Sequence, residues 1–351
     1  MTTVPDRAAV PRPVRIGLLG CADIAWRRTL PVIRAEPAAE LVAVAARDTD
    51  KAKVFAEEFG GKVVSGYQAL LDSPDVDAVY VPLPAGLHRE WIVRAFDAGK
   101  HALVEKPLTT RSEDTAEVFA LARARGLTLM ENLTFVRHGL HSAVADLVDA
   151  GEIGDLRSVH GVFGFPPLNP RDIRYRPDLG GGALLDAAVY PLSAARMFLG
   201  PELEVVAATL TEDPECGVDV AGSALLCSAD GRTAQVEFGF QHGYRCEYTL
   251  WGSRGSIFVD RAYTPPPAWR PTVRVRRRDE TRELVLPPED QFANTLREFI
   301  AAVRTGREAV DRAAQIATLA RLVDEVRDRA RPLLAGQRLA GRNGQLIRRH
   351  S

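Results

Sequence analysis

Short apolar runs and amphipathic stretches alternate along the first 130 or so residues. Val14 to Leu19 (VRIGLL) is an apolar run broken by Gly20, and helical periodicity follows from Ile24 to Ala35. This order predicts a strand, a tight turn and a helix. The same alternation predicts strands at Leu41 to Ala45, Ala78 to Val81, Ala102 to Val104 and Leu127 to Met130. Helices are expected between them, at Asp50 to Phe59, Leu87 to Ala98 and Ser112 to Arg125. Apolar strands alternating with helices imply a parallel sheet covered on both faces, so this part reads as a doubly wound α/β domain.

From about Leu156 the period changes. Strand-like segments follow one another at Leu156 to Phe165, Leu203 to Leu210, Val218 to Cys227, Thr233 to Phe240, Tyr244 to Trp251 and Ser256 to Val259. Joined by short turns such as Ala229-Asp230-Gly231, they make a large, mostly antiparallel open sheet. One helix is expected to interrupt them, from Ala183 to Phe198. Two more follow, at Gln291 to Arg304 and Ala313 to Arg329, the latter with Ile316, Leu319, Leu322, Val323 and Val326 on one face. The expected division is an α/β domain over residues 1–135, an α+β domain over 136–335, and a loosely ordered basic tail over 336–351.

Composition narrows the function classes. With 351 residues, 46% hydrophobic and 26% charged, the chain is globular rather than disordered. Lys plus Arg (45) nearly cancels Asp plus Glu (46), so no overall field favours nucleic acid or an anionic membrane. No apolar stretch approaches the roughly 18 residues of a membrane span, and the N-terminus has no export signal. A cytoplasmic protein with no membrane or nucleic-acid partner is expected. The cysteines at 21, 216, 227 and 246 form neither a CxxC pair nor a cluster with zinc spacing; they are read as reduced thiols, with no metal site.

Where a GxGxxG dinucleotide loop would follow the first strand, the chain reads Gly20-Cys21-Ala22-Asp23-Ile24-Ala25. The first glycine, needed for the tight turn, is present, whereas alanines at the other two places narrow the approach of a pyrophosphate. An ordinary βα turn without a nucleotide is the alternative. The second strand ends in Ala45-Ala46-Arg47-Asp48, with no carboxylate at the strand terminus for a ribose 2′-hydroxyl. Arg47 instead offers a planar fork to a 2′-phosphate, which favours NADP over NAD. Asp48 is the competing group, and if it faces the ribose the preference reverses. Lys51 is either a second phosphate partner or a solvated first-turn lysine.

Further motifs form an ordered set: PAGLHREW (Pro84 to Trp91), AGKHALVEKP (Ala98 to Pro107), GEIG (Gly151 to Gly154) and GGGALLD (Gly180 to Asp186) running on to Tyr190. In this set the chain resembles the Gfo/Idh/MocA oxidoreductases over nearly its whole length. The resemblance implies a Rossmann domain binding the dinucleotide, with Gly20 to Ile24, Arg47, Lys51, Pro82, Leu83, His88, Glu105 and Lys106 around the cofactor. It also places Lys106, Asp186 and Tyr190 in the catalytic pocket. His88 lines the nicotinamide end or is a structural histidine. Hydride transfer to a carbonyl needs a proton donor, and either Tyr190, with its phenol pKa lowered by Lys106, or Lys106 itself fits that role. Tyrosine at 190, where polyol dehydrogenases of the family carry histidine, argues against inositol oxidation.

The GCADIA loop, the segment MENLTF (Met130 to Phe135) and Tyr190 resemble the actinomycete dTDP-sugar 3-ketoreductases of deoxysugar pathways such as the kijanose branch. That resemblance implies NADPH-dependent reduction at C3 of a dTDP-3,4-diketo-2,6-dideoxyglucose. A dTDP group needs cations and a stacking surface, for which NPRDIRYR (Asn169 to Arg176) offers Arg171, Arg174, Tyr175 and Arg176. The alternative is a solvated loop whose arginines pair with Asp172 and Asp178. Arg274, Arg276 and Arg278 alternate with Val273 and Val275 and read as the wet face of an edge strand. An oxidoreductase acting on a free sugar, diol or polyol, and a non-catalytic NADP sensor, are the competing functions. The resemblance also implies a homo-oligomer, dimer or tetramer, formed through the second sheet.

Overall fold

The structure is a computed structural model that describes residues 12–306 and 310–334; the start of the N-terminal lead-in and the basic tail lie outside the described residues. The first sheet is built from β1 (Val14–Leu19), β2 (Ala39–Ala46), β3 (Lys62–Ser65), β4 (Ala78–Val81), β5 (His101–Val104) and β6 (Leu129–Glu131). All its pairs are parallel, in the order β3-β2-β1-β4-β5-β6. Its connecting helices are α1 (Leu30–Ala35), α2 (Thr49–Phe59), α3 (Tyr67–Leu71), α4 (His88–Asp97) and α5 (Ser112–Arg125). Strands β1, β4 and β5 are buried almost throughout, as a sheet sandwiched between helices requires.

The expected helix from Ile24 to Ala35 is two pieces. Residues Ala25–Thr29 form a π-turn that runs into α1, with the Leu30 N–H donating to the Ala25 carbonyl. Pro31 has no N–H for the regular ladder, so the turn widens ahead of it.

Helix α6 (Gly139–Asp149) leads into the second sheet, whose strands are β7 (Leu156–Gly164), β8 (Leu203–Asp213), β9 (Val218–Ser228), β10 (Thr233–Gly239), β11 (Arg245–Gly252), β12 (Ser256–Val259), β13 (Thr272–Arg277), β14 (Glu280–Val285) and β15 (Ala330–Leu334). Their order is β14-β13-β12-β11-β7-β10-β9-β8-β15, with only β7/β10 and β8/β15 parallel. Four more helices lie among the described residues: α7 (Ala183–Asp186), α8 (Val189–Leu199), α9 (Gln291–Thr305) and α10 (Val310–Arg329). One face of the sheet packs on α6, α8 and α10 through alternating residues such as Val236, Phe238, Tyr248 and Leu250. The other face presents Leu225, Glu237, Trp251 and Arg274, and Trp251 is 60% exposed.

Two expectations change here. Strand β13 is not an edge, because β14 lies outside it and Arg274 faces Glu283 across that pair at 2.8 Å, while Arg278 sits in the connecting turn. Helix α9 returns to the first sheet, where Leu296, Phe299 and Ile300 pack with Val14, Ile16 and Leu30. Part of the segment assigned to the second domain therefore covers the first.

Aromatic rings weld the second sheet to the site. Phe135, fully buried, meets Tyr263 edge-on at 5.1 Å and lies 5.7 Å from the Tyr190 ring. Phe135→Ala is expected to cost about 3–5 kcal/mol of stability, read by denaturant unfolding. A cost below about 1 kcal/mol would show that this cluster collapses without it.

Candidate active site

The strand order of the first sheet reverses between β1 and β4, which opens a crevice at their carboxyl ends. A cavity of about 680 Å³ begins there and extends to α7 and α8. Its lining starts with Gly20 to Ile24 after β1 and continues with Pro82 and Leu83 after β4, then Glu105 and Lys106 after β5.

At the nucleotide end, Gly20 has a φ of +106°, and a Cβ there would lie 2.6 Å from Leu83 Cδ2, so the turn admits no side chain. Burial pushes the Cys21 thiol up to about 11, leaving it protonated beside the loop. Local structure distinguishes Arg47 from Asp48, although both line the cavity. The Asp48 carboxylate caps α2, accepting from the N–H groups of Asp50 (2.9 Å) and Lys51 (3.3 Å). Arg47 and Lys51 line the cavity and make no ion pair among the described residues. An open cation pair beside a glycine turn fits the 2′-phosphate of NADP, and one oxygen of Asp48 is taken up by the helix cap.

At the other end, Lys106 Nζ donates to the Asp186 carboxylate (2.8 Å) and to the Asp186 carbonyl (2.7 Å). The second Asp186 oxygen accepts from Arg174 Nε at 2.7 Å. Burial alone would raise Asp186, but Lys106 and Arg174 outweigh it and hold the carboxyl well below the usual range. Tyr190 completes the group, with Lys106 Nζ above its ring at 5.2 Å and no hydrogen bond from its hydroxyl among the described residues.

Two points differ from the sequence expectation. Asp186 and Tyr190 do not share one helix, because the chain breaks at Ala187-Ala188 between α7 and α8. Pro191 has no N–H for the Ala187 carbonyl, which accepts from Tyr190 N instead, and Ala188 N bonds back to Ala183. The Tyr190 phenol is also not lowered: burial first, then the Asp186 carboxylate, push it well above its ordinary value. Lys106 stands over the ring and is turned to Asp186, so it does not offset this.

Three further residues lie elsewhere than expected. His88 is buried outside the cavity wall, with Nδ1 2.9 Å from the Pro107 carbonyl and Nε2 2.7 Å from the Leu83 carbonyl, where it ties two site loops together. Tyr175 turns inward, its ring 5.3 Å from Phe240 and its hydroxyl accepting from Leu168 N. Arg176 pairs with Asp178 at 2.7 Å in solvent. Arg171 and Arg174 do line the cavity. Sequence reading missed Tyr67, Phe163, Phe165 and Phe292, and also Asn132 and Thr134, which lie within the MENLTF segment.

Beneath the pocket runs a buried polar chain. Thr29 donates to the Tyr80 hydroxyl, and Tyr80 and Asn132 donate to Glu105 Oε1 at 2.7 and 2.6 Å. Next to it, Glu131 Oε1 accepts from Leu108 N at 2.7 Å, just past Lys106-Pro107, while Oε2 has no partner. Burial pushes Glu131 up to about 7, against roughly 4.3 in an unfolded chain. The folded state therefore binds a proton that the unfolded chain lacks, and this stabilisation is lost as pH rises from about 4.5 through 7. Glu131→Gln keeps an acceptor for Leu108 and removes the titration. Its stability relative to the native chain is expected to rise with pH across that window in thermal melts; a constant difference would refute this.

A doubly wound sheet whose nucleotide crevice opens onto a lysine, an aspartate and a tyrosine defines a dinucleotide-dependent oxidoreductase. Residues 14–133 match the oxidoreductase family with an NAD-binding Rossmann fold, and residues 141–258 match the GFO/IDH/MocA C-terminal domain. The chain belongs to the Gfo/Idh/MocA oxidoreductase family. It is 49% identical over 328 residues to a dTDP-3,4-didehydro-2,6-dideoxy-alpha-D-glucose 3-reductase of Actinomadura kijaniata, covering 93% of this chain and 99% of the relative. A reductase of the same name from Saccharopolyspora spinosa is 53% identical, covering 84% and 89%. The structure of a 3-ketoreductase from Actinomadura kijaniata, in complex with NADP and TDP-benzene, superposes with a TM-score of 0.91 at 50% identity, covering 92% and 99%.

Proposed function

We propose that this protein uses NADPH to reduce the C3 ketone of dTDP-3,4-diketo-2,6-dideoxy-D-glucose, a step of deoxysugar and antibiotic biosynthesis in the cytoplasm. One observation carries the reading: a single cavity joins an open Arg47/Lys51 cation pair to the Lys106–Asp186–Tyr190 group, with Arg171 as a further cation that makes no ion pair among the described residues. The relatives near 50% identity name the sugar.

When bound, the dinucleotide supplies the hydride. Lys106, held by Asp186, presents its ammonium to the carbonyl oxygen and stabilises the charge that develops there. Tyr190 remains protonated because of its high pKa and donates its proton to that oxygen. Phe163 and Phe165 give the substrate end an apolar wall, and Arg171 is free for a diphosphate.

Titrating dTDP into NADPH-saturated protein in a calorimeter tests the nucleotide half of the reading. Micromolar binding is expected; no detectable heat would favour a free sugar, diol or polyol substrate.

The bare face of the second sheet is read as the seat of a second copy of the chain. Nine strands at about 4.8 Å spacing make it roughly 40 Å wide, and it carries Leu225 and the exposed Trp251. Light scattering should give a dimer or tetramer that Trp251→Glu weakens; a monomer at micromolar concentration would contradict it.

A further inference from the structure

We propose that Arg174 is a positioning residue for the lysine–aspartate pair rather than a contact for the substrate diphosphate. The inference rests on the ketoreductase reading for its kinetics, though not for its geometry.

Two of the three guanidinium nitrogens of Arg174 are already committed. Nε donates to Asp186 Oδ2 at 2.7 Å, and Nη1 donates to Asp172 Oδ1 at 3.1 Å. Asp172 is itself fixed, because the same oxygen accepts from Arg174 N at 3.0 Å. The backbone is pinned as well: Gly182 N donates to the Arg174 carbonyl at 2.9 Å, and a Cβ on Gly181 would lie 2.6 Å from that oxygen. The glycine run before α7 thus lets the loop carrying Arg174 pack down until its guanidinium reaches Asp186.

Asp186 is consequently shared between two cations, one on each carboxylate oxygen. Lys106 keeps Oδ1 and the carbonyl, which fixes where its ammonium points. Arg174 draws part of the carboxylate's charge away from Lys106, leaving the ammonium undercompensated and better able to polarise a carbonyl. Arg171, three residues earlier in the same loop, lines the cavity without an ion pair among the described residues and is available to an anionic substrate group.

Arg174→Ala and Arg171→Ala separate the two roles. Arg174→Ala is expected to lower kcat by roughly tenfold or more, to move the alkaline limb of the kcat profile upward as a nearby cation is lost, and to leave dTDP and NADPH affinities within about twofold. Arg171→Ala is expected to do the reverse, weakening dTDP with the kcat profile in place. A readout free of any substrate comes from the five lysines of the chain: with lysine labelled at Cε, the Lys106 resonance should shift in Arg174→Ala and in Asp186→Asn, and stay in Arg171→Ala. Thermal melts and NADPH binding verify that each variant is folded. If Arg174→Ala leaves the Lys106 resonance unmoved, or loses dTDP affinity tenfold with the pH profile intact, the proposal is overturned. If the native chain neither binds dTDP nor reduces the keto sugar while the resonance still moves, the substrate reading fails and the positioning role stands.

Discussion

Lys106→Ala is expected to lower kcat by about a hundred- to a thousandfold, or roughly 3–4 kcal/mol of transition-state stabilisation. The ammonium lies over the Tyr190 ring and is fixed there by two bonds to Asp186. Removing one member of a buried ion pair usually destabilises the fold, since the other charge is left uncompensated. Here Arg174 remains on Asp186, so the variant should still fold and bind NADPH. Single-turnover NADPH oxidation, paired with NADPH fluorescence titration, checks both halves. A kcat within tenfold of the native value would remove Lys106 from the chemistry.

The second large effect concerns cofactor choice. Arg47→Ala should raise the KM for NADPH by about ten- to a hundredfold, the worth of a charge-assisted hydrogen bond, and leave NADH almost unchanged. The reason is local: one oxygen of Asp48 is turned back to cap α2, while Arg47 and Lys51 line the cavity without an ion pair among the described residues. Steady-state kinetics with both cofactors decides the matter. Equal losses for NADPH and NADH would mean that Arg47 shapes the loop rather than reading the phosphate.

Much of the architecture was legible because its signals are local and periodic. Helix α5 runs from Ser112 to Arg125 as its pattern predicts, and β1 and β12 also have the expected bounds. Strand β3 and helix α3 escaped detection because KVVS is short and largely exposed, so it carries no apolar run. Helix α6 starts after His138, whose ring nitrogen accepts from Leu140 N, a cap outside the usual Ser, Thr, Asp or Asn set. The return of α9 to the first sheet is invisible to periodicity, which says that a helix has an apolar face but not which core receives it.

The site divides along the same line. Lys106, Asp186 and Tyr190 were readable from motif resemblance, and the structure brings them together. Their relation was not readable, since Pro191 breaks the helix between Asp186 and Tyr190 and burial rather than Lys106 governs the phenol. The loop arginines show the limit most plainly. Three arginines and a tyrosine within six residues take different partners, because side chains elsewhere in the fold, such as Asp186 and Phe240, decide how each is turned.

Reduction of a dTDP-linked ketone by NADPH is tested by supplying dTDP-3,4-diketo-2,6-dideoxyglucose to the protein and following NADPH absorbance while the product is identified by NMR. One NADPH consumed per sugar, a new hydroxyl at C3, and loss of turnover in Lys106→Ala combined with Tyr190→Phe are expected. NADPH left unoxidised by this sugar, together with oxidation by a free sugar or diol, would contradict it.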